Sequence, residues 1–273
     1  MIFSNLNRIF GKFERFISKP KLNLFATLYF NFRTLPFIKA IKLPLFIYGS
    51  VKFYELAGKV EILSKVESGM IKFGRHDDIY TLPHKGVIKL SKNSKICFHG
   101  RCSVGRNYLW RITDDGVLDI GKLVWLGNRV TIICSNSVKI GDYSSLSFDD
   151  LIMDNNCHYS VNLQKNIVYR REGCVFIGKR NWVGNNVRLL KGCDIGDGNL
   201  IAAGSMVNHN ILCNQCLIAG APATVKYNGI TRVFSGEEER EIKLWFDNNP
   251  DKGFREVGQN FIDPIDDIIK YFL

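Results

Sequence analysis

A branched aliphatic residue recurs every six positions through the second half of the chain, and this spacing constrains the fold more than any other feature. The uninterrupted series consists of Ile177, Val183, Leu189, Ile195, Ile201 and Val207. Glycine or alanine follows four of these six positions. A period of six matches neither the 3.6-residue period of an α-helix nor the two-residue alternation of a strand. It predicts a repeating unit of one short strand and one corner, stacked at the usual interstrand spacing of ~4.8 Å.

A second aliphatic series, interrupted once, precedes the first. It consists of Ile120, Leu126, Ile132, Ile140, Leu146 and Ile152. Weaker coil-like segments extend upstream to about Ile62. Together the segments predict a solenoid domain over residues 61–230 with a continuous aliphatic core. The alternative interpretation is an ordinary β-sandwich with glycine-rich turns.

Four segments of the solenoid domain resemble the hexapeptide-repeat acyltransferases, in particular their sugar and polysaccharide O-acetyltransferase branch. These segments are residues 181–187, 195–198, 203–205 and 219–223, and the resemblance is strongest over residues 116–226. It implies a mainly β fold, a left-handed parallel β-helix, to which the patterns of the flanking segments described below add helical extensions at both ends. It also implies a homotrimer whose active site lies between subunits.

The repeat breaks between Ile152 and Ile177, whose separation of 25 positions is not a multiple of six. The intervening segment is rich in Asn, Cys, His, Arg and Tyr rather than in regularly spaced aliphatic residues. We therefore expect a loop over residues 153–176 to leave the coil here. Excursions from a regular scaffold often carry function, and this one contains Asp154 and His158.

His158 is the candidate general base. Transfer of an acyl group from a thioester to a hydroxyl requires that the hydroxyl lose its proton as it attacks, and an imidazole titrates near neutrality. The resemblance implies this role for His158. Asp154 either orients the imidazole or caps a turn. The expected activity is O-acetyl transfer to a sugar or glycan precursor of the capsule or O-antigen type, with N-acylation of an amino sugar left open.

The resemblance implies acetyl-CoA as the acyl donor, bound along the C-terminal coils without a phosphate loop. The matching donor-site residues are Trp182, Asn185, Ala203, Gly204, Ser205 and Lys226. Thr224 stands where the family tends to carry a basic residue, and Lys226 is the nearest substitute. For the acceptor, the candidates are Ser135 and Asn136 at a corner and Tyr159 and Arg170 in the loop.

The flanking segments differ in charge from each other. Residues 1–60 contain ten basic and two acidic side chains, whereas residues 235–273 contain five and ten. We expect residues 1–60 to form a basic helical or extended segment, in which residues 1–19 form an amphipathic helix that either contacts an anionic membrane or packs against protein. Ser235 and Glu238 form a capping box that predicts a helix through about Asp247, within a C-terminal helical extension over residues 231–273 that ends in a short helix at 264–272.

Composition and charge limit the cellular location, the metal requirement and the partners that we expect for this chain. No apolar run reaches the 18 or so residues that span a bilayer and no signal peptide is visible, so a cytoplasmic location is expected, with or without peripheral membrane contact. We expect no metal, because a zinc enzyme on this scaffold needs three converging imidazoles and only His158 and His209 lie in the strong repeat. The net charge of +11 also suits a basic non-catalytic scaffold or a nucleic-acid binder, although we expect no nucleic-acid partner.

Overall fold

The computed structural model describes residues 20–75 and 84–257, and these fold into a mainly β solenoid with three faces. Each coil of the chain adds one strand to each face in turn. The strands of the first face are β1 (Leu45–Ile47), β4 (Ile71–Phe73), β7 (Cys102–Val104), β10 (Val124–Leu126), β13 (Ser145–Leu146), β18 (Trp182–Val183), β21 (Leu200–Ile201), β23 (Cys216–Gly220) and β24 (Ala223–Asn228). All neighbours on this face are parallel except β23 and β24, which close it as an antiparallel pair.

The other two faces are parallel throughout. The second face contains β2 (Val51–Leu56), β5 (Gly86–Leu90), β8 (Leu109–Ile112), β11 (Thr131–Cys134), β14 (Leu151–Met153), β19 (Arg188–Leu190) and β22 (Met206–Val207). The third face contains β3 (Lys59–Ile62), β6 (Lys95–Phe98), β9 (Val117–Ile120), β12 (Ser137–Ile140), β17 (Cys174–Ile177) and β20 (Cys193–Ile195). The remaining elements are the hairpin strands β15 (Ser160–Asn162) and β16 (Ile167–Tyr169) and the helices α1 (Leu24–Thr34), α2 (Phe37–Ala40) and α3 (Gly236–Asn248).

The six-residue spacing is the step from one face to the next. Ile177 pairs with Ile195 on the third face, and Leu189 pairs with Val207 on the second. Three steps therefore complete one coil and return the chain to the same face. Every residue of both predicted aliphatic series is at most 2% exposed, and complete burial of one such side chain is worth roughly 1.5–3 kcal/mol. The predicted parallel solenoid is confirmed, whereas its left-handed winding stays a prediction.

Corner residues hold successive coils in register. Asn181 accepts a hydrogen bond from the backbone N–H of Asn199 (2.8 Å), and Asn199 accepts one from the N–H of Cys216 (2.9 Å), so that an asparagine ladder follows one corner. Gly196 lies at the same corner, where a Cβ atom would collide with the carbonyl oxygen of Cys213. The small residues that follow the aliphatic positions are thus required where backbones of adjacent coils meet.

The solenoid begins earlier than predicted. β1 starts at Leu45 and pairs with β4, so the predicted domain boundary at residue 61 lies inside the first coil. Helix α1 covers this end of the solenoid. The side chain of Asn31 donates to the carbonyl of Leu45 (2.7 Å), and Thr27 accepts from the N–H of Ile47 (3.0 Å), so helix side chains satisfy backbone groups of the outermost strand.

Helix α3 lies where the capping box predicts a helix. The Ser235 side chain accepts a hydrogen bond from the N–H of Glu238 (3.2 Å), and the helix extends from Gly236 to Asn248. The helices predicted at 1–19 and 264–272 lie outside the described residues. Among the helices of residues 20–75 and 84–257, none combines the length and apolarity that a membrane span requires.

Candidate active site

A long excursion leaves the solenoid at the corner between the second and third faces of the fifth coil. β14 ends at Met153, β17 begins at Cys174, and the antiparallel pair β15 and β16 forms a hairpin between them. The predicted loop is therefore present, and a bridge between Asn155 and Glu172 joins its two stems. Most residues of the hairpin are exposed, which indicates that it extends away from the core.

Asp154 organises the base of this excursion. Its side chain is fully buried, and its carboxylate accepts hydrogen bonds from the N–H of Ser135 (2.9 Å) and the N–H of Asn136 (2.7 Å) on the preceding coil. The Asn155 side chain donates to the same carboxylate (3.2 Å) and to the Ser135 hydroxyl (2.8 Å). Of the two roles left open by the sequence, the structure therefore shows the turn-capping one and does not bring Asp154 to the His158 imidazole.

His158 follows directly from this buried support. Asn155 accepts a hydrogen bond from the N–H of Cys157 (2.9 Å), and the N–H of His158 donates to the carbonyl of Asn156 (2.7 Å). These turns place His158 at the surface. Among the residues that the structure describes, none forms a hydrogen bond with its imidazole. The ring nitrogens are therefore available to an external hydroxyl.

The predicted acceptor residues divide into two groups. Asn136, Tyr159 and Arg170 are exposed around the excursion, and the Arg171 guanidinium lies 5.4 Å from the centre of the Tyr159 ring. Ser135 is only 8% exposed, and its hydroxyl bonds with Asp154 and Asn155. The predicted acceptor contact of Ser135 is therefore not what the structure shows, because that hydroxyl supports the loop instead.

Most of the predicted donor-site residues lie at a different corner, between the first and second faces. The carbonyl of Asn185 accepts from the N–H of Gly204 (2.9 Å), and Ala203 and Gly204 are exposed beside it. Gly204 has a φ of +73°, and a Cβ atom there would meet open space. Ser205 is buried and accepts from the N–H of Gly220 (3.3 Å). The corner offers an exposed backbone without side chains to cover it.

Trp182 lies on the outer surface of the first face, in the wall of a cavity of about 500 Å³. Ser145 pairs with Trp125 on one side and with Trp182 on the other. The two indoles are therefore two strand spacings apart, or ~9.6 Å, with a small side chain between them. Arg232 and Phe234 also line this cavity, and the Arg232 guanidinium lies 5.3 Å from the Trp182 ring centre. Trp125 and Arg232 were not predicted, because Trp125 approaches Trp182 through the stacking of coils and Arg232 belongs to the segment that follows β24.

Asp150 is a second group that the repeat did not reveal. It lies at the corner beneath Asn185, is 1% exposed, and accepts a hydrogen bond from the N–H of Val187 (2.8 Å). Burial raises the pKa of its carboxyl from 3.8 to about 8, although this hydrogen bond acts in the opposite direction. Its Oδ2 atom has no hydrogen-bond partner in the described part of the chain. The carboxyl is therefore held largely protonated at neutral pH.

Within one copy of the chain, the His158 excursion and the donor-site residues at the corner containing Asn185 do not come together. The His158 excursion follows the C-terminal end of β14, whereas the corner containing Asn185 precedes the N-terminal end of the neighbouring strand β19. The candidate base and the candidate donor site thus lie at opposite edges of the second face. Lys226 is exposed on β24 at the end of the first face. Over residues 20–75 and 84–257, no cluster of three or more His, Cys, Asp or Glu side chains has a metal-binding arrangement.

Comparison with known families identifies the repeat. The family described as bacterial transferase hexapeptide, with six repeats, matches residues 174–209. A protein of Escherichia coli K12 named for lipopolysaccharide biosynthesis O-acetyl transfer, WbbJ, is 32% identical over 130 residues, which cover 44% of this chain and 65% of WbbJ. One named for colanic acid biosynthesis acetyl transfer, WcaF of the same strain, is 28% identical over 142 residues, which cover 50% of this chain and 67% of WcaF. The chain thus spans about two thirds of the length of these relatives.

A solved structure shows the same architecture. The crystal structure of the polySia-specific acetyltransferase NeuO superposes with a TM-score of 0.52 over 76% of this chain and 84% of NeuO, at 17% sequence identity. At this identity the likeness concerns the fold alone. In its matched repeat at residues 174–209, its buried six-residue register and the relatives named above, the chain is similar to the hexapeptide-repeat acyltransferases.

Proposed function

We propose that this protein transfers an acetyl group from acetyl-CoA to a hydroxyl of a sugar or glycan precursor, with His158 as the general base. The observation that carries the proposal is the excursion at residues 154–173. There a buried network holds the loop base rigidly while the His158 imidazole stays exposed without an internal partner. The names of WbbJ and WcaF, which denote acetyl transfer in polysaccharide synthesis, support the choice of acceptor.

In the proposed reaction, a ring nitrogen of His158 accepts the proton of the sugar hydroxyl as its oxygen attacks the thioester carbonyl carbon. The tetrahedral oxyanion is stabilised by hydrogen-bond donors, for which backbone N–H groups are suited. When the intermediate collapses, the carbon–sulfur bond breaks and the departing thiolate takes the proton from the imidazolium. The sugar ester and free coenzyme A are the products. The imidazole returns to its neutral form, and no acyl-enzyme is formed.

The donor site in this proposal comprises Asn185, Ala203, Gly204 and Ser205, with Trp182 beside the thioester end and Lys226 near the nucleotide phosphates. Exposed backbone at Ala203 and Gly204 suits the amide groups of a pantetheine arm, since no side chain prevents close approach. On the acceptor side, Asn136, Tyr159 and Arg170 are exposed around the excursion that carries His158 and have hydrogen-bonding groups. The glycan contacts are assigned to these three side chains rather than to the buried Ser135.

The proposal includes a homotrimer of left-handed coils in the cytoplasm. It is supported by the separation of the two residue sets, because the base at one edge of the second face needs a donor site from a neighbouring copy. A cyclic arrangement places the same pair of unlike edges together at every interface. Each trimer would then contain three equivalent active sites.

The proposed chemistry is tested by measuring thiol release from acetyl-CoA with sugar acceptors, for the unaltered protein, His158→Ala and a control. His99→Ala is the matched control, since His99 is also an exposed corner histidine but lies at the third corner and pairs only with Asp119. We expect His158→Ala to lower the turnover rate by about 10²–10⁴-fold, and His99→Ala to leave it unchanged. Equal rates for all three proteins would remove His158 from the mechanism.

Coenzyme binding is tested separately by thermal stability. At ~100 times its dissociation constant, a ligand of the folded state adds ~2.7 kcal/mol, and we expect acetyl-CoA to stabilise both the unaltered protein and His158→Ala. Absence of any shift would refute the donor site and favour a basic scaffold. Product analysis with hydroxyl and amine acceptors separates O-acylation from N-acylation, and exclusive transfer to the amine would correct the acceptor assignment.

A further inference from the structure

The N-terminal end of the solenoid has an outer surface of unusual composition, which we call the apolar cap face. It consists of the exposed large side chains of α1, α2 and the residue after α2, namely Leu24, Phe25, Leu28, Tyr29, Phe32, Phe37, Ile38 and Ile41. Phe25 is 81% exposed, Phe37 is 72% and Ile38 is 69%. Terminal caps of repeat proteins normally present a polar outer face, because solubility requires it. This cap does the opposite and is therefore built to be covered.

The helix itself shows that exposure of these residues is not a consequence of poor packing. The opposite side of α1 is firmly attached to the first coil, where Phe30 is fully buried against Phe53 and Phe73. Asn31 and Thr27 on the same side bond to the first strand. Helix α1 therefore has apolar side chains on its outer side as well as on the side that packs against the first coil.

Basic side chains accompany the apolar cap face in the sequence. From Pro20 to Tyr54 the sequence contains five basic residues and no acidic residue, the basic ones being Lys21, Arg33, Lys39, Lys42 and Lys52. The nearest carboxylates of the first coil are already paired, Glu55 with Lys89, Glu61 with Lys95 and Glu67 with Arg101. Within residues 20–75 and 84–257, no carboxylate forms an ion pair with Lys21, Arg33 or Lys42. Lys39 donates to the carbonyl of Ile62 (2.9 Å) and the Lys52 ammonium lies 4.2 Å from the centre of the Tyr54 ring. Lys21, Arg33 and Lys42 therefore supply the positive charge that accompanies the apolar cap face.

We propose that the apolar cap face binds the surface of an anionic lipid bilayer. Insertion of Phe and Ile side chains to the level of the acyl chains, with Lys and Arg beside the headgroups, is the arrangement by which amphipathic elements lie on membranes. An isologous contact between two copies would place like charges opposite each other. Residues 1–19 are also net positive, with four basic and one acidic side chain, so they do not complement Lys21, Arg33 and Lys42. Negative lipid headgroups complement these positive charges.

Membrane binding by the apolar cap face does not depend on the proposed activity, but it would fix the distance between the candidate active site and the bilayer. The excursion with His158 belongs to the fifth coil, four strand spacings from the first, or ~19 Å along the solenoid. A protein bound by its cap would therefore present that corner at a fixed height above the bilayer. A glycan attached to a membrane lipid would reach it only through its distal sugars.

The test is cosedimentation of the full chain with vesicles of phosphatidylcholine, with and without phosphatidylglycerol. We expect binding only to the anionic vesicles and loss of binding at high salt. Phe25→Ser combined with Phe37→Ser should weaken partitioning by about a hundredfold, since burial of each large apolar side chain is worth at least about tenfold. Lys21→Ala and Lys42→Ala should each weaken it by about fivefold.

The matched control is Leu244→Ser combined with Phe254→Ser, two apolar residues of the C-terminal segment that are also largely exposed, at 62% and 73%, and it should leave vesicle binding unchanged. Equal binding of the control and the Phe25/Phe37 variant would overturn the proposal. So would dissociation of an oligomer by the Phe25/Phe37 variant without vesicle binding, which would assign the face to a second copy. A large fall in its unfolding temperature without vesicle binding would instead show that another part of this chain covers the face.

Discussion

Replacement of Asp150 by asparagine should remove a large pH dependence from the stability of the solenoid. In the folded state the pKa of this carboxyl is about 8 instead of 3.8, chiefly because burial disfavours its charged form. A raised pKa means that the folded state holds the proton more tightly than the unfolded state. Stability linked to Asp150 is therefore complete below about pH 4 and is lost as the pH rises toward 8.

The magnitude follows from the difference between the two pKa values. Each pH unit between them lowers the free energy of unfolding by ~1.36 kcal/mol, so the whole interval is worth about 6 kcal/mol. The substituted amide would keep an oxygen for the Val187 N–H but would add a buried donor, which costs roughly 1–3 kcal/mol when unpaired. Asp150→Asn should thus be slightly less stable than the unaltered protein at pH 5 and more stable at pH 9.

The assay is denaturant unfolding of both proteins across this pH range. Asp149→Asn is the control, because Asp149 is adjacent but exposed and forms an ion pair with Arg129. Loss of an exposed pair costs at most about 1 kcal/mol, and the pH profile should change little, because the charge of Asp149 is the smallest of the causes that shift the pKa of Asp150. An identical stability difference between Asp150→Asn and the unaltered protein at pH 5 and pH 9 would refute the reasoning.

Three further substitutions test the support of the fold and of the excursion. Asp154→Ala leaves buried N–H groups without an acceptor, so it should lose roughly 3 kcal/mol and accelerate proteolysis within residues 154–173; an unchanged cleavage rate would contradict the role of this carboxylate. Leu189→Ala should lower the free energy of unfolding by about 2–5 kcal/mol, measured by denaturant titration, and a loss below this range would indicate a core that collapses around the gap. Gly196→Ala should lower the unfolding temperature more than Gly192→Ala does. A Cβ atom at Gly196 collides with the backbone of the next coil. A Cβ atom at Gly192, where φ is +85°, meets open space and costs only ~1–2 kcal/mol of backbone strain.

The six-residue spacing of aliphatic residues predicted most of the core, because each face of a regular coil directs one residue inward and these residues recur at a fixed interval in the sequence. The six-residue spacing is weaker upstream of Ile120 for an equally physical reason. Strand β5 buries Gly86, Ile88 and Leu90 in alternation, and the corner before it is long, so inward positions there are no longer six residues apart. The first coils are therefore built from the same architecture without its sequence signature.

The candidate site was predicted in part. The break in the repeat located the excursion and His158 within it, because a loop cannot maintain the spacing of the coil. The contacts of Asp154 with Ser135 and Asn136 were not predictable in the same way, since they join residues one full coil apart that have no shared pattern. The same holds for Trp125 and Trp182, whose relation arises only when the intervening coil is stacked between them.

The regular stacking of coils also makes the solenoid a ruler. A corner loop can move along the axis only in steps of one strand spacing, ~4.8 Å, and each step corresponds to the 18 residues between paired positions such as Ile177 and Ile195. Transplanting residues 154–173 to the corresponding corner of an adjacent coil would therefore translate the histidine by one step along the axis while keeping it at the same edge. Distances between loops of this protein are thus set in discrete increments, and both evolution and engineering can change them only by whole coils.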